Sequence, residues 1–87
     1  MTDDQIIEAL QDAARSVVGH RIEGMTIASQ LSDLGIDSIG VLEMLGEVEK
    51  TMEVEFNDAE MAAVVSVRDF VTLVRAAREA AERGSDR

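Results

Sequence analysis

The sequence of 87 residues has no cysteine, proline, tryptophan or tyrosine, and it has only two phenylalanines, Phe56 and Phe70. The lack of cysteine excludes disulfide bonds, thiolate metal sites and a catalytic thiol. Sheets favour aromatic and β-branched side chains, and no segment shows the alternation of apolar and polar residues that is typical of a strand. These absences favour an all-α fold.

Long apolar runs are missing as well. No uninterrupted apolar run exceeds a few residues, so we expect no membrane-spanning segment. No basic stretch followed by an apolar one precedes the first predicted helix, so we expect a cytoplasmic location. A chain of this length has room for one small domain, which we expect to span residues 1–87 and to be monomeric.

Basic residues are scarce. The chain has 18 acidic and 8 basic residues, which gives a net charge of −10. The acidic excess is concentrated in residues 33–60, where Lys50 is the single basic residue. A negative field of this kind repels nucleic acid and anionic membranes and attracts basic protein surfaces. We therefore expect protein partners with basic patches, and neither nucleic acid nor a membrane.

Capping signals and helical spacing of apolar residues predict four helices. Thr2 with Gln5 and Ser66 with Asp69 have the spacing of a capping box, and Asp37 is the expected N-cap of the second helix. The predicted helices cover about residues 3–18, 38–52, 58–63 and 67–83, followed by a tail at residues 84–87. The sequence thus predicts a small four-helix bundle, with three long helices and one short one.

A long loop at residues 19–37 separates the first two predicted helices. Its apolar residues are Met25, Ile27, Leu31, Leu34 and Ile36. A loop with so many apolar side chains is expected to be pinned to the core. Loops of this length without structure of their own are usually functional or mobile, which directs attention to this one.

The second helix has a broad apolar side and an acidic side. At about 100° per residue, its expected core side consists of Val41, Leu42, Met44, Leu45, Val48 and Met52. Glu43 and Glu47 point the other way, and the apolar Ile39 falls among them. Glu49 does not fit the pattern, since its angle places a carboxylate near the apolar side.

Ser38 lies in the first turn of this helix, beside the expected N-cap. The first backbone N–H groups of a helix have no intrahelical partner, and the positive end of the helix dipole favours anions. A phosphate attached to Ser38 would therefore be well accommodated. This arrangement suits attachment of a group better than hydrolysis.

The motif around Ser38 resembles that of the acyl carrier protein family. It reads Asp33-Leu34-Gly35-Ile36-Asp37-Ser38-Ile39. The family's signature is Leu-Gly-x-Asp-Ser-Leu/Ile, whose serine receives 4′-phosphopantetheine from coenzyme A. The resemblance covers nearly the whole chain, because the helices and the long loop follow the family's order and spacing.

The resemblance implies a carrier without catalytic activity of its own. Ser38 would bear the phosphopantetheine arm, and Asp37 would help a phosphopantetheinyl transferase to read the site. Ile39, Glu43 and Glu47 would form the face that docks on ketosynthases, acyltransferases or other acyl-processing enzymes with basic patches. Acyl groups would be carried as thioesters on the arm and passed between these enzymes.

The resemblance also implies a shelter for the acyl chain between the second and third helices. The expected lining consists of Val41, Leu42, Met44, Leu45, Val48 and Met61. The segment Gly-Ile-Asp-Ser-Ile and the residue Gly46 favour a carrier of polyketide or related secondary metabolism. A carrier for fatty acid synthesis and a carrier for an aminoacyl or peptidyl group remain alternatives. We expect a free-standing carrier rather than a piece of a larger synthase.

The sequence gives less support to three other functions. Asp33 and Asp37 could suggest calcium, but the remaining ligand spacing of a helix–loop–helix site is missing, so we expect no metal. A serine hydrolase lacks support, because no Gly-x-Ser-x-Gly turn surrounds Ser38 and the single histidine, His20, has no catalytic arrangement around it. An acidic interaction module whose Ser38 is never modified remains the alternative of another class.

Overall fold

The computed structural model describes residues 1–84, and within them the chain forms four α-helices and one short 3-10 turn. The helices are α1 (Asp3–Val18), α2 (Ser38–Met52), α3 (Asp58–Ala62) and α4 (Val67–Gly84), and the 3-10 turn spans Ser32–Leu34. The predicted four-helix bundle is confirmed. Gly84 belongs to α4 rather than to the predicted tail, and residues 85–87 lie outside the described residues.

The capping residues set the helix ends. The Gln5 amide donates to Thr2 Oγ1 at 3.2 Å, and the Thr2 amide donates to Gln5 Oε1 at 2.8 Å, which completes the predicted capping box of α1. Ser66 and Asp69 form the second predicted box at the start of α4. The cap of α3 was not predicted, and it is Asn57, whose side chain accepts from the amides of Ala59 and Glu60.

The core lies between α1, α2 and α4. Its most deeply buried large side chains are Ile6, Leu10, Leu31, Met44, Leu45, Val48, Val67, Phe70 and Val74. α1 packs against both α2 and α4, whereas α3 contacts α2. The short α3 leaves four of its five residues exposed and buries part of only Met61. This helix is therefore the most weakly anchored element of the bundle.

The long loop is pinned to the core, as predicted. Ile22, Leu31 and Ile36 are buried, and Met25, Ile27 and Leu34 pack against the core from partly buried positions. Its first half is held by a residue that the apolar pattern did not single out. The buried side chain of Gln11 accepts from the Ile22 amide at 3.0 Å and donates to the Ile22 carbonyl at 2.8 Å.

The second half of the loop is tied to the connection between α3 and α4. The Leu31 amide donates to the Val65 carbonyl at 3.0 Å, and the Val67 amide donates to the Ser29 carbonyl at 2.9 Å. These two bonds form an isolated antiparallel bridge between Gln30 and Ser66. We call this pair of bonds the loop bridge. It places the end of the long loop beside residues 64–66, next to the start of α2.

The Gln11 contacts generate a stability prediction. Gln11→Ala should lower the free energy of unfolding by about 1–3 kcal/mol, because a buried donor and a buried acceptor of Ile22 lose their partner. Urea unfolding followed by circular dichroism measures this difference. Ser16→Ala, at an exposed position of the same helix, is the control and should stay within about 0.5 kcal/mol of wild type. Equal stability of the two variants would contradict the prediction.

Candidate functional site

Ser38 is the first residue of α2, and its side chain is exposed. The Asp37 side chain caps the helix as predicted, with Oδ1 accepting from the Gly40 amide at 2.7 Å. Among residues 1–84, the Ser38 hydroxyl makes no hydrogen bond to a protein group. The hydroxyl is thus available for attachment of another group.

The backbone at the start of α2 can accept a negative group. Asp37 occupies the Gly40 amide through its carboxylate and the Val41 amide through its carbonyl. The amides of Ser38 and Ile39 precede the first intrahelical bond and remain available. Free amides at a helix N-terminus are the usual partners of phosphate groups. A phosphodiester on Ser38 therefore fits the residues around it.

Gly40 is a site residue that the sequence patterns did not explain. A Cβ at this position would lie 3.1 Å from Ile36 Cγ2 and 3.2 Å from Asp37 Oδ1. The missing side chain therefore lets the loop and the capping carboxylate pack directly against the first turn. Glycine lowers helix stability by about 1 kcal/mol relative to alanine. The close contacts of Ile36 and Asp37 explain why glycine is nevertheless present at this position.

A cavity of about 170 Å³ adjoins Ser38. It is lined by Gln30, Leu31, Ser32, Ile36, Ser38, Val41, Val64 and Val65. The lining comes from the loop, from the first turn of α2 and from the connection before α4, all of which the loop bridge holds together. We call it the Ser38 cavity. Only Val41 of the predicted acyl lining belongs to it.

The other residues of the predicted acyl lining lie in different surroundings. Met44, Leu45 and Val48 are fully buried in the core, and Met61 is partly buried against it. Leu42 corrects the prediction, because it was placed on the core side and is 50% exposed. The buried side of α2 centres on Met44 and Val48, and Leu42 lies at its edge, where none of the described residues covers it fully.

The outer face of α2 carries the three residues predicted for partner recognition. Ile39 is 66% exposed, Glu43 is exposed and Glu47 is partly exposed, which agrees with their predicted outward orientation. Glu47 lies 3.7 Å from the ammonium of Lys50. Together with Leu42, these residues give α2 an exposed face that combines apolar and acidic side chains. We call it the α2 face.

Glu49, which did not fit the helical pattern, supports the turn after α2. Its Oε2 accepts from the Phe56 amide at 2.9 Å, and its carbonyl accepts from the amides of Glu53 and Val54. Glu53 ends the helix in the left-handed conformation, with φ at 54°. The position of this carboxylate near the apolar side thus has a local structural purpose.

Asp69 holds the connection that forms one wall of the Ser38 cavity. Its Oδ2 accepts from the amides of Val65 and Ser66, at 3.0 and 3.1 Å. The hydrogen bond from Val65 is the main reason why the pKa of Asp69 lies below its ordinary value. Burial opposes this lowering, and the two hydrogen bonds with Ser66 add to it. The carboxylate form therefore stabilises this wall.

Other kinds of site find little support in the described part of the chain. Within residues 1–84, no group of three or more histidine or acidic side chains is arranged to hold a metal ion. His20 is exposed just after α1, with Nδ1 at 3.0 Å from the Arg21 carbonyl oxygen. None of the helices in this range is long and apolar enough to cross a membrane.

Comparisons with known proteins give a consistent set of relatives. A family model described as the phosphopantetheine attachment site matches residues 8–74. The acyl carrier protein of an Exiguobacterium species is 28% identical over 75 residues, which cover 85% of this chain and 95% of that protein. The non-reducing polyketide synthase of Emericella nidulans is 30% identical over 73 residues, which cover 84% of this chain and 3% of the synthase. The chain thus spans only a small part of the synthase.

A solved structure has the same fold. The crystal structure of an acyl carrier protein from Thermotoga maritima has a TM-score of 0.82 and 22% sequence identity. The likeness covers 88% of this chain and 91% of that protein. At this level of identity, the comparison supports the helical architecture alone.

Asp69 generates a prediction on pH. Because its pKa is lowered in the folded state, its contribution is present at neutral pH and is lost as the pH falls through that lowered value. Asp69→Asn should destabilise the chain by about 1 kcal/mol at pH 7. The difference should shrink below about pH 4. Thermal unfolding over a pH series measures it, with Glu79→Gln, exposed on the same helix, as the control. If the difference in stability between Asp69→Asn and wild type does not change with pH, the lowered pKa assigned to Asp69 is contradicted.

Proposed function

The chain belongs to the acyl carrier protein family, whose members bear a 4′-phosphopantetheine arm, and from that premise we propose that Ser38 is the residue that carries the arm. The observation that supports this assignment is the position of the Ser38 hydroxyl at the start of α2, beside a cavity of about 170 Å³. The hydroxyl is exposed and makes no hydrogen bond to the described protein groups. The Asp37 cap fixes the first turn and so fixes the position of that hydroxyl.

Attachment requires a phosphopantetheinyl transferase and coenzyme A. The Ser38 oxygen forms a bond to the phosphorus that carries the pantetheine, and the bond from that phosphorus to the bridging oxygen of the pyrophosphate breaks. Adenosine 3′,5′-bisphosphate leaves, and the hydroxyl proton passes to a base of the transferase. The chain supplies the nucleophile and, through the amides of Ser38 and Ile39, donors for the phosphodiester that results.

The chain itself acts as a carrier rather than as an enzyme in this proposal. A phosphopantetheine arm on Ser38 would supply a terminal thiol that can hold an acyl group as a thioester. Tethering raises the effective concentration of that group at each docked enzyme, which is the physical benefit of a carrier. We also propose a cytoplasmic location, where coenzyme A is available, and a monomeric state. No described residue is assigned a bond-making role other than Ser38.

The Ser38 cavity is the proposed shelter for part of the acyl group. Its apolar side chains Leu31, Ile36 and Val41 lie behind a rim that includes Gln30 and Ser32. The apolar side chains suit the tail of an acyl chain, whereas the polar rim suits its carbonyl. This lining differs from the predicted one. Three residues of the predicted lining, Met44, Leu45 and Val48, are fully buried in the core.

Docking on partner enzymes is assigned to the α2 face. Glu43 and Glu47 lie close to Ser38 along one helix, and residues 33–60 hold most of the acidic excess. Charges at the rim of an interface mainly raise the rate of association and make it sensitive to salt. Exposed Ile39 and Leu42 add apolar contact area. Such an interface suits a partner that must associate quickly and then leave.

Polyketide or related secondary metabolism is the pathway that we propose. The similarity to a polyketide synthase over 84% of this chain supports it. A carrier for fatty acid synthesis remains the alternative, since proteins described only as acyl carrier proteins match over a similar length. The acyl group found on the protein from its native host decides between them.

The attachment site is tested by intact mass. Incubation with coenzyme A and a broad-specificity phosphopantetheinyl transferase should add one phosphopantetheine per chain. Ser38→Ala should abolish the addition, whereas Ser32→Ala, at another exposed serine on the same rim, should leave it intact. An unchanged mass of the wild-type chain would instead favour an acidic interaction module.

The docking face is tested by charge reversal. The double variant Glu43→Lys and Glu47→Lys should lower kcat/KM of the transferase on the order of tenfold and reduce its dependence on salt. Glu23→Lys with Glu79→Lys makes the same change in net charge at exposed positions away from α2, and should have a much smaller effect. Circular dichroism checks that both variants stay helical. Equal losses in the two double variants would assign the effect to net charge rather than to the α2 face.

A further inference from the structure

Gly46 lies in the interior of α2, where the fold gives no reason for a glycine. Its backbone is not in the left-handed conformation that favours this residue. Beyond its chain neighbours and the backbone of its own helix, a Cβ on Gly46 would meet no described atom within 4 Å, in contrast to one on Gly40. Glycine in a helix interior nevertheless lowers helix stability relative to alanine. The reason for Gly46 therefore lies outside the folded chain.

Gly46 lies in the middle of the α2 face. Residues three and four positions apart are neighbours on a helix surface, so Leu42 and Glu43 lie beside it on one side and Lys50 on the other. Leu42 is 50% exposed, and Glu43 and Lys50 are also exposed. The missing side chain leaves a shallow depression between them. We call it the Gly46 notch.

The carboxylates around the notch differ in their partners. Glu47 lies 3.7 Å from the ammonium of Lys50. Glu49 accepts a hydrogen bond from the Phe56 amide. Among residues 1–84, no cationic side chain pairs with Glu43. Glu43 is therefore the carboxylate at the notch that can receive a cation from another molecule.

The notch fits a side chain with an apolar stem and a cationic head. Leu42 offers an apolar wall, Glu43 offers a carboxylate beside it, and the ammonium of Lys50 repels a cation toward Glu43. An arginine has this combination, because its methylenes pack on apolar surface while its guanidinium pairs bidentately with a carboxylate. The acidic excess of residues 33–60 attracts the basic surfaces that present such side chains.

We propose that the Gly46 notch receives an arginine side chain of the phosphopantetheinyl transferase that loads Ser38. The methylenes of the arginine cover the backbone at Gly46 and contact Leu42, and its guanidinium pairs with Glu43. The inference rests on the proposed function, because it requires an enzyme docked on the α2 face. Gly46 then selects its partner through the absence of a side chain, although it lowers the stability of the helix.

The first test fills the notch. The transferase is assayed with saturating coenzyme A and increasing concentrations of the carrier. Gly46→Leu should raise KM for the carrier on the order of fivefold and leave kcat within about twofold of wild type, because it removes binding without moving Ser38. Gly46→Ala adds a single methyl group, so it should raise KM less than about twofold while it raises Tm by about 4–8 °C. Ala80→Leu, at an exposed position of α4, is the control and should leave KM unchanged.

The second test is a double-variant cycle that addresses the arginine itself. Gly46→Leu and Glu43→Gln should each raise KM, but together they should raise it much less than the product of their separate effects, since both act on the same partner side chain. Gly46→Leu with Glu23→Gln, at an exposed position of the long loop, is the control and should give the product. Circular dichroism checks that each variant is helical. Gly46→Gln, which also fills the notch, replaces Gly46→Leu if the latter does not fold.

The possible failures are distinguishable. A wild-type chain that is not loaded would overturn the proposed function and this inference with it. A loaded wild-type chain and an unchanged KM for Gly46→Leu would overturn this inference alone. Equal rises in KM for Gly46→Ala and Gly46→Leu would also overturn it, because the cause would then be a stiffer helix rather than a filled notch. Independent effects of Gly46→Leu and Glu43→Gln would exclude a shared arginine.

Discussion

The loop bridge is the constraint on which the site depends. Two backbone hydrogen bonds, Leu31 to Val65 and Val67 to Ser29, join a long loop to a connection more than thirty residues later in the chain. They hold the loop and residues 64–66 in register beside the first turn of α2, in addition to the core packing of Leu31, Ile36 and Val64. The three segments together line a cavity beside an exposed hydroxyl. The helices supply most of the core, and the bridge between two non-helical segments shapes the site at the start of α2.

The helices could be predicted from the sequence because their ends are marked by local chemistry. Thr2 with Gln5, Asp37, and Ser66 with Asp69 all make the hydrogen bonds that their spacing predicts. Such bonds join residues that are three positions apart, so their spacing in the sequence is enough to predict them. The position of Ser38 at the start of α2 follows from the same local rules.

Local sequence patterns did not predict the features that depend on residues farther away in the chain. Leu42 lies at the margin of the buried side, and whether it is covered depends on the neighbouring elements rather than on its own helix. Gln11 is polar, and the partner that explains its burial is eleven residues away. Glu49 likewise finds its partner in the turn that follows α2. The wall of the cavity at Val64 and Val65 required the bridge itself to be known.

The acidic residues of the α2 face and the Ser38 cavity lie on different parts of this small domain. Glu43 and Glu47 lie on the outer face of α2, whereas the cavity beside Ser38 has a mostly apolar lining with a polar rim. Under the proposed function, recognition of a partner and protection of a cargo can therefore change independently. On the same proposal, a substitution at Glu43 would alter association, and one at Val41, which lines the Ser38 cavity, would alter what is sheltered.

The loop bridge also orders events during synthesis of the chain. Ser38 and its helix leave the ribosome well before Val64, Val65 and Val67, which complete the wall and the bridge. Pairing between segments so far apart in sequence is slow compared with helix formation. The serine is therefore made early, but its finished surroundings are among the last parts of the molecule to form. A modifying enzyme that recognises the folded site must act after translation has passed residue 67.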